Sequence, residues 1–464
     1  MTDLSFHPSI LRAYDIRGTF GENLFPQDAT LLGQKIAAYF KRYHPSKTCT
    51  MGIVRDGRHS SPALHKVLIE SLLCQGIHVL DFGVGPSPLG YYASFFEKIE
   101  GLVVITASHN PKQDNGFKIL LLGQNICGDA LHAFASLPAC PSPEEKGHYH
   151  AKNIFEDYIQ HTRQALAKTA TKLRVAWDFG HGAMSVLAPY IKKYIPGEHF
   201  FLCETLNGDF PSHEPDPTVE KNLALLKECV VSKGCAIGFA FDGDGDRLGV
   251  VDHTGAMIAG DRLVTLLGAH FLKNQPGTTV LADIKSSMIF KEVIEKNGGV
   301  PLLTRSGHSF IKTKMKETGA LFAGEMSGHL FFADENKGYD DGLYAALRVL
   351  RMLDEMQMSL HELNNALPSY DATPEIKLSV EVGENFATVE RVKKDLIHQQ
   401  KSFSEEDGVR FETDKGWWLI RASNTGNHLI VRMEGRTQDD LEVMKADCKS
   451  ILKKALNGTI TLEF

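Results

Sequence analysis

Three times along the chain one grammar recurs: an apolar run ends in Asp within a polar turn, and a helical pattern follows. The runs are Met51-Gly-Ile-Val-Arg-Asp56, Leu173-Arg-Val-Ala-Trp-Asp178 and Thr279-Val-Leu-Ala-Asp283. Each time a later apolar run empties into a polar or Gly-rich loop, at 103–111, 236–247 and 320–329. Strand-like runs alternating with helical patterns predict α/β layers. Ligands of open α/β sheets bind beyond the carboxyl ends of the strands. Three such loops therefore predict one cleft shared by three similar domains, although any α/β chain shows some alternation of this kind.

A chain of 464 residues is too long for one ordinary core, and length alone suggests roughly three or four domains. Composition shifts place the limits at 1–150, 151–254, 255–368 and 369–464. Pro138 to His150 lacks periodicity and reads as a linker. A second limit follows Asp252-His-Thr-Gly255. The last comes near Leu367-Pro-Ser-Tyr370, after a long helical stretch from Gly342 to Ala366. Beyond it a helix (Phe386 to Gln400), short strands around Trp417 to Ile420 and His428 to Arg432, and a final helix predict an α+β tail rather than a fourth copy.

A net charge of −7, without runs of Lys or Arg, supplies no basic field for nucleic acid. Acidic substrates must then be captured by local pockets. No apolar run approaches the ~20 residues that span a bilayer. Met1 to Gly18 does not read as a signal peptide. Eight cysteines form no C-x-x-C pair or metal spacing, so they read as buried, reduced thiols. The expectation is a cytoplasmic protein with no nucleic-acid or membrane partner.

Asp242-Gly-Asp-Gly-Asp-Arg247 is the most specific feature. Carboxylates at i, i+2 and i+4, separated by glycines, can wrap around one ion. Three such groups repel one another unless a cation relieves them. Hard oxygen ligands favour Mg²⁺ or Ca²⁺ over zinc. An EF-hand loop would need Gly sixth and Glu twelfth, where this chain has Arg247 and His253. The apolar strand from Cys235 to Phe241 argues for a fixed, buried loop, and Asp242, Asp244 and Asp246 leave positions open for a phosphate oxygen, with Arg247 to neutralise it.

The other loops are less specific. Thr106-Ala-Ser-His-Asn-Pro111 puts a Ser108 hydroxyl beyond a buried strand, with Lys118 ten residues on, but Ser, Asn and Pro are also ordinary turn residues. No G-x-S-x-G elbow is present, so this is not a hydrolase triad of that kind. Gly324-Glu-Met-Ser-Gly-His329 offers acceptors and donors for sugar hydroxyls and a histidine for proton transfer. A Gly-rich turn with a satisfied histidine fits it equally, and His308 within Arg305-Ser-Gly-His308 has the same two readings. Arg421-Ala-Ser-Asn-Thr-Gly426 joins two strand-like runs as a phosphate cradle, where hairpin chemistry alone would not require the arginine.

Together these loops resemble the α-D-phosphohexomutase superfamily, most closely its bacterial phosphomannomutase/phosphoglucomutase members. Ala13-Tyr-Asp-Ile-Arg-Gly18 and the four loops occur in the family's order, and the resemblance covers essentially the whole chain. It implies four domains around a central cleft, three of mixed α/β type and a fourth resembling the TATA-box-binding fold. It implies Mg²⁺ held by phosphorylated Ser108 with Asp242, Asp244 and Asp246. Ser108 would pass its phosphoryl group to a hexose phosphate, and a hexose 1,6-bisphosphate, the activator and intermediate, would reorient and return the other phosphate. Arg17, Lys118 and His329 would aid charge stabilisation and proton transfer, and Arg247, Arg262 and Lys285 would complete the cationic cleft. Tyr14 and His109 would lie at the substrate. Glu325, Ser327, Gly307 and His308 would hold the sugar, and Arg421, Ser423, Asn424 and Thr425 the non-reacting phosphate.

Glucosamine mutases of this family generally carry Gln where this chain has Met326, which favours mannose and glucose substrates. Gly426-Asn427 stands where the family usually has a small or acidic residue and then Pro, which implies a more flexible phosphate loop. A monomer or homodimer is expected. Two rivals stay open: a haloacid-dehalogenase-like phosphotransferase using Asp242 as nucleophile, and a non-catalytic sugar-phosphate sensor.

Overall fold

The structure, a computed structural model, describes residues 5–45, 48–138, 143–166, 173–423 and 426–456. Asn424 and Thr425 lie outside the described residues.

The first sheet contains β1 (Ile16–Thr19), β2 (Thr50–Arg55), β3 (His78–Val84), β4 (Gly101–Ile105), β5 (Asp114–Leu121), β6 (Gln124–Asn125) and β7 (Tyr149–Ala151). Their order is β1-β5-β4-β2-β3-β7, with β6 on β5. β2, β3 and β4 are parallel, and β4 is buried along its whole length. Continuous burial is what a Val- and Ile-rich run without alternation requires of a strand covered on both faces. The helix Pro26–Tyr43 packs on the helix Ser61–Cys74 beside this sheet, burying Ala29, Leu32, Ile36 and Phe40 at helical spacing. The expected linker ends differently, because Tyr149, His150 and Ala151 pair in parallel with Val79, Leu80 and Asp81.

The second sheet has β8 (Arg174–Asp178), β9 (Glu198–Leu202), β10 (Ile237–Phe241), β11 (Leu248–Asp252) and β12 (Met257–Ile258), in the order β12-β11-β10-β8-β9. In the third, β13 (Thr279–Asp283) pairs in parallel with β14 (Val300–Thr304) on one side and β15 (Phe322–Gly324) on the other. β16 (Leu330–Phe332) follows in sequence. Each repeat thus has one plan: the Asp-terminated strand lies between a later parallel neighbour and the strand that carries the loop. The three sets are β4-β2-β3, β10-β8-β9 and β15-β13-β14. In each the aspartate binds turn or loop amides. Asp56 accepts from Arg58 N, Asp178 from Gly180 N and Asp283 from Met326 N, at 2.9–3.1 Å.

The tail sheet comprises β17 (Asp371–Ala372), β18 (Ile376–Ser379), β19 (Val409–Glu412), β20 (Gly416–Ala422) and β21 (His428–Gly435). The order is β17-β21-β20-β19, all antiparallel, with β18 also on β21. The helices Glu384–His398 and Gln438–Ala455 pack on it, which is the α+β arrangement expected.

The chain forms two compact units, 1–260 with 327–362, and 261–326 with 363–464. The predicted long helix after Gly342 is two helices, Gly342–Met356 and Leu360–Asn365. Gln357 turns left-handed (φ 51°), and Ser359 and Glu362 bond reciprocally to each other's backbone amide as a capping box that restarts the helix. Cys49, Cys235 and Cys448 are buried as expected, but Cys74 is exposed at a helix end, and the cysteines among the described residues are free thiols. Among the described residues no helix is long and apolar enough to cross a membrane.

The loop after β9 is pinned by His213, whose Nε2 lies 3.0 Å from buried Asp178 and 3.8 Å from the Cys203 sulfur. Burial pulls the His213 pKa down, but hydrogen bonds to Asp178 and Cys203 outweigh it and lift it to about 10. The ion pair therefore stabilises fully below about pH 6.5 and is lost as pH rises through about 10. His213→Gln, which strands a buried carboxylate, should cost about 3 kcal/mol at pH 6. In thermal unfolding at pH 6, 8 and 10 the gap from wild type should narrow steadily. A constant gap would show that the charge plays no part.

Candidate active site

β4 delivers Ser108 just beyond its buried carboxyl end, where the residue takes the left-handed conformation at φ 53°. Its side chain is 2% exposed. The hydroxyl donates to Asp242 Oδ2 at 2.6 Å, and Nδ1 of His109 lies 3.1 Å from the Ser108 hydroxyl oxygen. The Asp-rich loop approaches so closely that a Cβ on Gly243 would sit 2.3 Å from the Ser108 carbonyl oxygen. Gly245 turns at φ 76° so that Asp244 and Asp246 can both face inward.

Ligand oxygens of Asp242, Asp244 and Asp246 lie within 4.8 Å of one another, and all three residues are buried. Burial, then the charges of Asp244 and Asp246, push the Asp242 carboxyl well above its usual range. β5, paired Val104 to Lys118 with β4, brings the Lys118 ammonium to 2.6 Å from Asp244 and 2.5 Å from Asp246. Burial works against the charged forms. Even so, attraction to Lys118 holds Asp244 far below the carboxylate range, and Asp244 and Asp246 hold Lys118 well above the usual lysine value. Ser87 donates to Asp244 as well. The Oδ1 atoms of Asp244 and Asp246 are nevertheless buried without a hydrogen-bond partner. Unpartnered buried carboxylate oxygens of this kind fit a hard divalent cation such as Mg²⁺.

Arg17, on β1, donates to Asn110 Oδ1 at 2.9 Å and pairs with Asp15, while its Nε–H is buried without a partner. Tyr14 is half-buried in the preceding turn. The backbone of Arg247 bridges to that of His329, and its Nε donates to His329 Nε2 at 3.0 Å. Nδ1 of His329 then carries the ring proton and faces Asp340 Oδ2 at 3.0 Å. Burial, followed by Arg247 and Arg17, holds His109 well below its ordinary value, so its ring is uncharged near neutrality. Ser327 is half-buried beside Gly328, whose carbonyl accepts from Leu248 N at 3.0 Å.

The second unit gathers another group of the expected residues. Glu325 accepts from Gly307 N at 2.6 Å, at the start of the helix His308–Thr318. Lys285 pairs with Glu375 at 3.4 Å and Asp283 at 3.7 Å, and these carboxylates outweigh burial to raise its pKa. Arg421 pairs with Asp407 at 3.0 Å, and Asp407 also accepts from Ser306 N. Ser423 is buried in the β20–β21 hairpin, its amide bonded to His428 O. Arg262 departs from the cationic group expected of it: its guanidinium is spent on Asn364 and the Pro368 carbonyl, closing the turn after Leu360–Asn365.

Sequence reasoning passed over three residues. Ser87 opens the helix Ser87–Phe96 and Asp340 precedes the N-cap Asp341 of the helix Gly342–Met356, and no motif marks either. Arg58 sits in Arg55-Asp-Gly-Arg58, which reads as a plain turn.

Comparison with known proteins agrees with this layout. Family models described as phosphoglucomutase/phosphomannomutase alpha/beta/alpha domains I, II and III match residues 8–130, 156–255 and 259–370, and that of the C-terminal domain matches 375–449. The chain is 37% identical over 457 residues to a Pseudomonas aeruginosa phosphomannomutase/phosphoglucomutase, covering 98% of each. It is 36% identical to a Neisseria meningitidis phosphoglucomutase, covering 97% of each. A crystal structure of a Burkholderia thailandensis protein of the phosphoglucomutase/phosphomannomutase family superposes with a TM-score of 0.90 at 32% identity, covering 99% of this chain and all of that one. With its loops, its repeated sheets and these relatives in agreement, the chain belongs to the phosphoglucomutase/phosphomannomutase family.

Proposed function

We propose that the protein interconverts hexose 1-phosphates and hexose 6-phosphates, of mannose and glucose, through a phosphorylated Ser108 and a hexose 1,6-bisphosphate. The observation that carries this reading is the buried Ser108 hydroxyl donating to Asp242 inside a carboxylate cluster with two buried oxygens that accept no hydrogen bond. In the forward half-reaction the phosphorus–oxygen bond to Ser108 breaks as one forms to the sugar hydroxyl. The hydroxyl proton passes to Nε2 of His329 once Arg247 Nε–H has turned from it to the phosphate, with Asp340 Oδ2 3.0 Å from Nδ1 to offset the charge the ring gains. The bisphosphate turns over and returns its other phosphate to Ser108. Asp242, Asp244, Asp246 and the phosphate of Ser108 would hold Mg²⁺, which supplies positive charge beside the transferring group.

Arg17, Lys118 and Arg247 place fixed positive charge around the equatorial oxygens, and the unpartnered Nε–H of Arg17 is one donor free for them. Tyr14 and His109 line the reacting end. Glu325, Gly307, His308 and Ser327 bind the sugar, while Lys285, Arg421, Ser423, Asn424 and Thr425 take the distal phosphate. Arg262 enters this set only if it leaves Asn364.

Two measurements test the proposal. Incubation with labelled glucose 1,6-bisphosphate should leave acid-stable phosphate on the Ser108 peptide, and acyl phosphate on Asp242 would overturn it. Specificity constants should favour mannose and glucose 1-phosphates over glucosamine 1-phosphate. For the tautomer assignment, Asp340→Asn should lower kcat about 100-fold with KM little changed. Wild-type turnover in that variant would remove Asp340 from the mechanism.

A further inference from the structure

We infer that Arg58 is a positioning residue for phosphoryl transfer, holding the backbone of the phosphoserine loop in its reactive shape. Arg58 stands in the turn between β2 and the helix Ser61–Cys74 and is 1% exposed. Its five N–H groups are all engaged. Nε binds Asp56 Oδ2 at 3.1 Å. Nη2 donates to the carbonyls of Ser108 (2.8 Å) and Asn110 (2.7 Å), and Nη1 to those of Pro111 (2.6 Å) and Asp114 (3.0 Å). One guanidinium therefore collects four carbonyls, three from the loop and one from the first residue of β5, including that of Ser108. Phe210 covers it, with its ring centre 5.3 Å from the guanidinium carbon.

The loop needs such a tether. Ser108 occupies a backbone conformation that a non-glycine residue keeps only where its surroundings over-determine it. With the carbonyl of Ser108 fixed, the side chain emerges toward Asp242. With Asn110 fixed, its Oδ1 meets Arg17. Arg58 thus acts on the reacting oxygen through the backbone and touches no substrate. A lysine at this position offers three donors from one point and cannot span four carbonyls in a plane. A nucleophile displaced by about 1 Å can lose about 100-fold in rate.

This inference rests on Ser108 being the phosphorylated residue, and the test separates the two. If wild-type protein takes no phosphate on Ser108 from glucose 1,6-bisphosphate, that underlying reading fails and the inference with it. If wild-type protein does, Arg58→Lys is compared with it. Its kcat and its single-turnover rate of Ser108 phosphorylation should fall together, about 100-fold, while KM stays within about threefold. In Arg58→Gly, millimolar guanidinium ion should restore turnover at least about tenfold and leave wild type unaffected. Arg58→Lys with kcat within threefold of wild type overturns the inference. So does activity lost only in proportion to the unfolded fraction, by circular dichroism, with no rescue by guanidinium. Should Arg58→Lys fail to fold, the Arg58→Gly rescue decides: structure regained without turnover overturns it.

Discussion

Ser108→Ala is expected to leave a folded protein whose turnover has fallen at least about 10⁴-fold. The covalent route has one acceptor. On the proposed route every phosphoryl group that leaves the sugar lands on Oγ; of the nearest side chains, Asp242 accepts from Arg247 N and is pushed toward its neutral form by burial, and His109 lies among cations. Deleting the hydroxyl removes one donor from Asp242 and no packing atom of consequence, so the fold should survive. The measurements are mutase rate, phosphate incorporation from the 1,6-bisphosphate and circular dichroism. A variant with normal spectra and a rate within tenfold of wild type would show that the phosphate travels by another path.

Removing divalent cations should be nearly as damaging, a loss of about 10³-fold reversed by Mg²⁺. The electrostatics of the loop are the reason. Three buried carboxylates face one ammonium, Lys118, and a guanidinium, Arg247, 3.8 Å from Asp242. Burial, and then the charges of Asp244 and Asp246, raise the Asp242 pKa. Binding to the folded state alone also stabilises it, by about 2.7 kcal/mol when Mg²⁺ stands at 100 times its Kd. Thermal unfolding thus reads the site without any turnover assay. Mg²⁺ should raise the Tm of wild type and leave that of Asp242→Asn or Asp244→Asn nearly unchanged. An equal rise in the variants would place the ion elsewhere.

The aspartate loop was legible because its chemistry is local: Gly243 and Gly245 permit the turn, and the three carboxylates sit at fixed sequence spacing. The fold was legible for a related reason, since Asp56, Asp178 and Asp283 each end the strand on which a repeat is built. Ser108 was legible only through family resemblance, because its partner Asp242 lies 134 positions away. Arg58 was hidden for the same reason, since the carbonyls it binds lie 50 to 56 positions along the chain; Asp340 stands near His329 in sequence, but no motif marks its segment. The bonds of Arg262 to Asn364 and Pro368 were not legible, because a cation in the right segment says nothing of the oxygens that meet it. The break at Gln357 overrode a continuous helical pattern, although Ser359 and Glu362 carry the capping signal in plain view.

The left-handed backbone at Ser108 also restricts which hydroxyl residue the chain can use there. Threonine carries the same group, and a single base change separates many of their codons. Yet a branched Cβ at φ 53° is a steric outlier. Serine-to-threonine drift, tolerated at many phosphorylation sites, is closed at this one. The identity of residue 108 is guarded by the main chain, before any selection on its chemistry.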